Sequence, residues 1–461
     1  MRSSPLAGIR VVDLSRVFAM PYVGAYLADM GAEVIKIDTH HAAFVDTTRT
    51  ITGPYPNNEP GVDYWNRAGT FQTLNRGKRS LTLDLRSDDG MRNLVDLIAI
   101  SDVVLENFTP RVSVRFGLDY ANLRTVRPDL ILVSNTGYGH SGPWSAFGAM
   151  ASALEPTHGS GAFMGYLEPD EDGKLTGSSI PNKIGNSYTD FLACWSGQLA
   201  ILSALYRRAL TGEGGWVDLA MYQTGISFFG EGLLDFAFNG RRTRRIGNRH
   251  QSLSPQGCYP CLKEDCWVTL SVGNDEEWVA LCKAMGQPAL ASDPRFADPL
   301  HRYENQDELD TLISEWTSAH SREDILAALQ EHGVHAAPVQ NAAQLLQDEH
   351  LGGRGLFEQV DFPASSEMGS RRFLGRGWRL SQADVKVRGP APDMGEANDY
   401  VLAEMLGLSE IEIDRLRDEQ VIGEELKDGN APGVVPLERQ AELGWIASYD
   451  ANYGGASQTV S

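Results

Sequence analysis

The chain has 461 residues, more than one hydrophobic core usually supports, so two or three domains are expected. Its 40 Lys and Arg stand against 61 Asp and Glu, and the net charge of −21 argues against nucleic acid or an anionic membrane as a partner. Any phosphorylated ligand would need a local basic pocket. Five cysteines, unevenly spread, exclude a disulfide scaffold in a chain of this length and point to the reducing cytoplasm.

The N-terminus, "MRSSPLAGIRVVDLSRV", contains no apolar core of a secretory signal or lead anchor. Over the first 140 residues, short apolar strands alternate with helical segments, the pattern of a parallel sheet covered on both faces. The strands are "GIRVVDLS", "AEVIKID", "SLTLDL", "DVVLENF" and "DLILVSN". Between them "PYVGAYLADMG" runs from Pro to Gly, and "SDDGMRNLVDLIAIS" opens on a Ser cap followed by acids. This is an α/β, Rossmann-like arrangement. The apolar run Phe191 to Leu210 reads as a helix buried on all sides, too interrupted by polar residues and arginines for a membrane span. "TGEGGWVDL" is then a tight turn into a short strand.

From about 226 to 345 the pattern changes to a smaller α+β unit, with "DCWVTLSV" and "GVHAAPVQ" as strands and "DEEWVALCKAMG" as a helix. The expected division is therefore a large domain over 1–225, a small domain over 226–345, a linker and C-terminal return over 346–430, and a loosely packed tail over 431–461.

Several constellations compete for a functional reading. The first strand–helix turn, "SRVFAMP", lacks the glycines of a dinucleotide fingerprint, although Asp38 ends the second strand at the right distance. Cys258, Cys261 and Cys266 open like a zinc site with His250 as a fourth ligand, yet no second pair follows and thiols on a hairpin are the plainer reading. The run "RRTRRIGNRH" is either a phosphate grip or a solvated face. Arg16, Lys78, Arg79, Arg86, Asn107, Arg111 and Arg115 gather around strand ends, where open parallel sheets bind ligands, and this points to an anion with spread-out phosphates. Asp190 stands at the mouth of the apolar run. It is either a helix N-cap or a carboxylate held beside substrate, and both roles are compatible.

At these residues the chain resembles the class III CoA-transferases of CaiB/BaiF type, the family of formyl-CoA:oxalate and carnitine CoA-transferases. The resemblance rests on "PLAGIRVVDLSRVFAMPYVGAYLADMGAEVIKID", "NRGKRSLTLDLRSDDG", "DVVLENFTPRVSVRFGLDY", "PDLILVSNTGYGHSGPW", "TDFLACWSGQLAILSALYRRALTGEGGWVDLAMYQ" and "GVHAAPVQNAAQLLQDEHL", in the family's order. It implies that Asp190 is the nucleophile, with Thr189 where relatives have Gly. It implies CoA contacts at Val17, Phe18, Ala19, Leu83, Arg86, Asn107, Phe108, Arg115, Phe116 and Thr136. Phe18, Thr39 and Thr136 depart from relatives with Gln, Arg and Lys, leaving Arg16, Lys78 and Arg79 as substitute cations.

The same resemblance implies a Rossmann-like large domain, a small domain and an interlocked, ring-shaped homodimer. The ligands would be an acyl-CoA and a small carboxylic acid, with no metal and no cofactor beyond coenzyme A as substrate. Tyr138 and Glu155, with His158, fall on the acyl side, and the glycines of "HGSGAFMGY" suit a flap. An acyl-CoA racemase of the same family needs a His where this chain has Met150, which cannot move a proton. A non-catalytic CoA-binding subunit of a heteromer is the reading from another class, and Asp190 argues against it.

Overall fold

The computed structural model describes residues 3–450 except Thr52, Gly173, Lys174, Asn186 and Ser187. The described chain divides into two compact units, and the boundaries fall at Leu154/Glu155, before Tyr188, at Phe228/Phe229 and at Gln347/Asp348. The first unit takes in the N-terminal part, the stretch from Tyr188 to Phe228, and everything from Asp348 onward. Residues 155–185 thus belong with the small unit, where the sequence reading had kept them in the large domain.

In the first unit β1 (Arg10–Asp13), α1 (Ala19–Asp29), β2 (Glu33–Asp38), β3 (Arg79–Thr82), α2 (Asp88–Ala99), β4 (Val103–Glu106), α3 (Pro110–Arg115), β5 (Ile131–Thr136), α4 (Tyr188–Thr211) and β6 (Gly215–Ala220) follow in chain order. The strands form one sheet in the order β3-β2-β1-β4-β5-β6. Every neighbouring pair is parallel. The order reverses between β1 and β4, which makes their carboxyl ends the switch point where such sheets open a crevice.

Strands β1 to β5 are largely continuous buried runs because both of their faces are covered. Val12, Leu14, Ile35, Ile37, Val104 and Leu132 pack with Leu94, Leu97 and Ile98 of α2 and with Val401, Leu402, Ile413 and Leu416 of the returning C-terminal stretch. Their neighbours Val11, Val34, Val103, Leu105, Ile131 and Val133 face the other way, onto α1 and onto Cys194 and Ile201 of α4. Ser87 caps α2 by accepting from the Gly90 amide at 3.0 Å, with Asp88 and Asp89 in the first turn as the sequence pattern predicts.

Helix α4 departs from the sequence reading. Leu192, Ala193, Cys194, Gln198 and Ile201 are buried, but Trp195, Leu199, Tyr206 and Leu210 are more than half exposed. One face packs on the sheet and the opposite face is an apolar stripe open to the outside of this chain. Periodicity could not separate the two, because the outward residues are as apolar as the inward ones. Residues 431–450 are mostly exposed and include the short helix Leu437–Glu442.

The second unit is α+β. Strands β7 (Gln256–Pro260) and β8 (Trp267–Ser271), helices α5 (Asp275–Ala284), α6 (Gln306–Ser318) and α7 (Arg322–Glu331), and strand β9 (His335–Pro338) enclose a core around Trp278, Leu281, Phe296, Leu309, Ile313 and Leu329. The three strands pair antiparallel in the order β9-β8-β7. The arginine run staples this unit. Arg249 pairs with Asp307 and Asp310, and the Arg245 guanidinium donates to the carbonyls of Gly161, Met164 and Ser178.

Buried charge is concentrated in the first unit. Asp29 is fully buried and pairs with buried Arg76 at 2.8 Å and half-buried Arg376 at 3.2 Å. Removing one partner of such a cluster leaves uncompensated charge in a dry interior. Asp29→Ala should therefore lower unfolding stability by about 3–5 kcal/mol, read as a fall in the denaturant midpoint with an unchanged slope. A midpoint equal to wild type would show that the two arginines find other partners.

Candidate active site

At the carboxyl ends of β1 to β4 lies a cleft of about 450 Å³ lined by Leu14, Arg16, Ile37, Asp38, Thr39, Phe44, Leu83, Asp84, Leu85, Arg86, Phe108, Val112, Arg115 and Phe116. Five of the ten residues implied as CoA contacts line it: Leu83, Arg86, Phe108, Arg115 and Phe116. Its walls are apolar and aromatic, and its rim carries three guanidiniums. Arg86 is held in a two-pronged pair with Asp84, at 2.8 Å on each side, and its guanidinium sits 4.5 Å over the Phe44 ring. Among the described residues Arg16 and Arg115 have no acidic partner within salt-bridge distance. In a chain of net charge −21, two such arginines on one cleft make a local site for anionic groups.

The other five implied contacts have different surroundings. Asn107 spends its side chain on the backbone of Arg16, accepting from the amide at 2.9 Å and donating to the carbonyl at 2.8 Å. It shapes the β1–α1 turn and does not line the cleft. Thr136 is buried and accepts the Gly139 amide at 2.8 Å, closing the loop after β5. The Ala19 methyl is buried with Leu154, Ala193 and Met221. Val17 stands exposed beside Arg16. Phe18 reaches the other way, its ring 5.6 Å from Phe191 in an edge-on contact.

That contact joins the cleft's own turn to the helix of Asp190. Asp190 lies in the first turn of α4, two residues inside its start at Tyr188, so it is not the cap; the preceding residue, Ser187, lies outside the described residues. Its carboxylate is half-buried, where the helix's leading amides favour negative charge. Thr189 is fully buried.

Two of the substitute cations fall away. Lys78 is fully buried, donating to Asp13 at 2.6 Å, to the Pro21 carbonyl at 2.7 Å and to Asn75 at 2.8 Å. Arg79 begins β3, at the opposite end of the sheet from the cleft, and lies 4.5 Å over the Tyr400 ring. Of the residues implied on the acyl side, Tyr138 packs its ring 5.5 Å from Trp144 and 5.6 Å from Tyr222. In the second unit Glu155 is fully buried within the helix Ala151–Thr157, and His158, also buried, stacks 5.6 Å from Phe229. Cys261 and Cys266 face each other across the β7–β8 hairpin, with the Cys261 amide donating to the Cys266 carbonyl at 2.7 Å. Among the described residues, no three His, Cys, Asp or Glu side chains converge as a metal-ligand set.

Residues 6–398 match the family model for CoA-transferase family III. The chain is a family III CoA-transferase. It is 32% identical over 407 residues to succinate–glutarate CoA-transferase of Agrobacterium fabrum, covering 88% of this chain and 96% of that one. It is 31% identical to succinyl-CoA–D-citramalate CoA-transferase of Chloroflexus aurantiacus, with 91% and 98% covered. The crystal structure of a CaiB/BaiF family protein from Brucella suis superposes with a TM-score of 0.76 at 32% identity, over 88% of this chain and all of that one.

Sequence reasoning passed over Phe44 and over Glu106, and the second shapes the CoA-transferase's cleft. Glu106 ends β4, fully buried, and its Oε2 accepts the Phe108 amide at 2.8 Å, fixing the turn that presents Phe108. Its Oε1 lies 3.8 Å from His140 Nε2. Burial pushes the Glu106 carboxyl up to about 7, aided by the charge of Asp218 and opposed by the Ser134 hydroxyl and the Phe108 amide. Burial likewise keeps the His140 imidazole below its ordinary range, with Asp218 opposing. A carboxyl raised on folding contributes stability that is complete below its free pKa and is lost as pH rises through 7. Glu106→Gln removes that loss while keeping an acceptor for Phe108. Relative to wild type, the variant should gain about 1–3 kcal/mol between pH 5 and pH 8, read from denaturant curves at each pH. A difference that stays flat with pH would show that Glu106 ionises freely.

Proposed function

We propose that the protein moves CoA from an acyl-CoA donor to a carboxylic acid through an aspartyl–acyl anhydride on Asp190. The observation that carries this reading is the cleft at the sheet's switch point: five implied CoA contacts meet there with Arg16, and their turn touches the Asp190 helix through Phe18 and Phe191. Arg16, Arg86 and Arg115 are the groups for the phosphates of CoA, as charged forks suited to them. Phe44, Phe108 and Phe116 offer aromatic surface to the adenine.

The chemistry follows from what a carboxylate can do without ATP. Asp190 attacks the thioester carbonyl; the C–S bond breaks, CoA leaves as thiolate, and a mixed anhydride holds the acyl group in activated form. Thiolate then attacks the aspartyl carbonyl, which releases the donor acid and leaves CoA on Asp190. The acceptor carboxylate attacks that thioester, and the released thiolate takes the acceptor's acyl group from the second anhydride, freeing Asp190. Amide hydrogens of the first turn of α4 are suited to the negative charge developing on the carbonyl oxygen. No metal or further cofactor is needed.

The relatives named above act on succinyl or other dicarboxylic groups, and succinyl-CoA is the donor we propose, with a short dicarboxylic acid as acceptor. All five cysteines are free, as a reducing cytoplasm would keep them. No helix among the described residues is long and apolar enough to cross a membrane. The exposed stripe of Trp195, Leu199, Tyr206 and Leu210 calls for a cover, and we propose that a second copy supplies it in an interlocked homodimer. The racemase reading lacks its second base, because Met150 is a solvent-exposed thioether.

Asp190→Asn tests the nucleophile. An amide at this position gives up about 0.3–1 kcal/mol of favourable charge–dipole interaction, too little to unfold the chain. Transfer from succinyl-CoA to glutarate, mesaconate or malate should fall by several orders of magnitude, and hydroxylamine should modify the Asp190 peptide of wild type only after acyl-CoA is added. Near-normal turnover in the variant would leave Asp190 a structural residue. Arg115→Ala should raise KM for the acyl-CoA about tenfold or more, since a charged phosphate contact contributes roughly 1.5–3 kcal/mol. An unchanged KM would remove Arg115 from the site.

A further inference from the structure

The turn between β1 and α1 contains a residue in a conformation its side chain disfavours. Val17 has φ of +69°, in the left-handed region, where a β-branched residue is an outlier. Its neighbours are fully tied. The Ser15 carbonyl accepts from Lys36 Nζ at 3.0 Å, and the Ser15 amide donates to Asp13 at 3.0 Å. Both backbone groups of Arg16 are held by Asn107. The Val17 amide donates to Asp46 Oδ1 at 3.3 Å.

Asp46 is itself tightly held. It is 2% exposed, its Oδ2 meets Lys36 Nζ at 3.1 Å, and its Oδ1 also accepts the Thr48 amide at 3.0 Å and the Thr48 hydroxyl at 2.8 Å. Burial works against charge on Lys36, and the carboxylates of Asp46, Asp38 and Asp13 outweigh it, so Lys36 keeps its charge. Lys36 thus grips the turn twice, directly at Ser15 and through Asp46 at Val17.

What the grip holds is the division of labour on either side of Val17. Arg16 lines the cleft, and Phe18 points the opposite way to Phe191. A left-handed residue between them turns the chain sharply enough to serve both. Relaxation of Val17 to an extended conformation would swing Arg16 and Phe18 together out of these positions. We propose that Asp46, anchored by buried Lys36, is a positioning residue that locks Val17 in the left-handed conformation and so sets Arg16 for the CoA phosphates. This rests on the reading of the cleft as the CoA site.

The test is a pair of backgrounds. Asp46→Asn offers one strong acceptor where Lys36, Thr48 and Val17 need two, and in the Val17 protein it should raise KM for acyl-CoA at least about tenfold with a smaller effect on kcat. Glycine adopts positive φ without help, so in a Val17→Gly background the same substitution should change KM less than about threefold. A general structural role for Asp46 would give equal losses in both backgrounds, and that result would overturn the proposal. Amide exchange at Val17, followed on the full chain without ligand, separates the lock from its purpose. Exchange should speed up in Asp46→Asn. Unchanged exchange overturns the lock; faster exchange with unchanged KM overturns the assignment of this turn to CoA. If Asp46→Asn does not fold, Asp46→Glu, which keeps a charge for Lys36 while displacing the Val17 acceptor, is carried through the same measurements.

Discussion

Strands β1 to β5 of the first unit are covered on both faces, so a charge buried between the layers must be answered by another protein group. Lys36, Asp38, Arg49, Lys78, Asp13, Arg76 and Asp29 are all buried, and all are paired: Lys36 with Asp46, Arg49 with Asp38 at 2.9 Å, Lys78 with Asp13 and Arg76 with Asp29. Such pairs are poor sources of net stability, because desolvation offsets much of their attraction. Their effect is geometric. Arg76–Asp29 ties the end of α1 to the chain entering β3, while Lys36–Asp46, Arg49–Asp38 and Lys78–Asp13 fix strand ends and loops on the cleft's side of the sheet. The site is built on these loops.

The constraint sorts residues that touch ligand from residues that shape the place. Buried Asp46, Glu106 and Thr136, and half-buried Asn107, each spend a side chain on a backbone amide of the strand-end loops. Arg16 and Arg115, by contrast, are left without acidic partners in the cleft. In a strongly acidic chain an arginine finds a carboxylate easily, as Arg86 does in Asp84. Where the fold withholds one, the positive potential stays available to a ligand, and the rest of the surface repels anions from other places.

Much of this was legible in the sequence, for identifiable reasons. The strands β1 to β5 announced themselves as short Val, Ile and Leu runs, and α2 by its Ser cap and leading acids, because burial on both faces and capping are local demands. The cleft residues Leu83, Arg86, Phe108, Arg115 and Phe116 came from family resemblance, and the geometry gathers them. Lys78 and Arg79 were misjudged because a sequence shows that a cation lies near a strand and not at which end, or beneath which core, it points. Asp46 and Glu106 gave no signal at all. Their importance lies in distances to Val17 and Phe108, across 29 residues in the first case, and no periodicity carries that.

Helix α4 shows the same limit from the other side. Its run from Phe191 to Leu210 is apolar around its circumference, and such a helix belongs in a place covered on every side. Within one chain, Ile201 is covered and Leu199 is 70% exposed. The expectation of burial on all sides therefore holds for one face of the helix only, and the apolar residues of the other face carry the same demand for burial without cover from their own chain. A single chain leaves that demand unmet over four large side chains in four turns. The same helix carries Asp190 at its leading end. A second copy on the stripe, as we propose, would also bear on the rotation of α4 on the sheet, and with it on the direction of the Asp190 carboxylate.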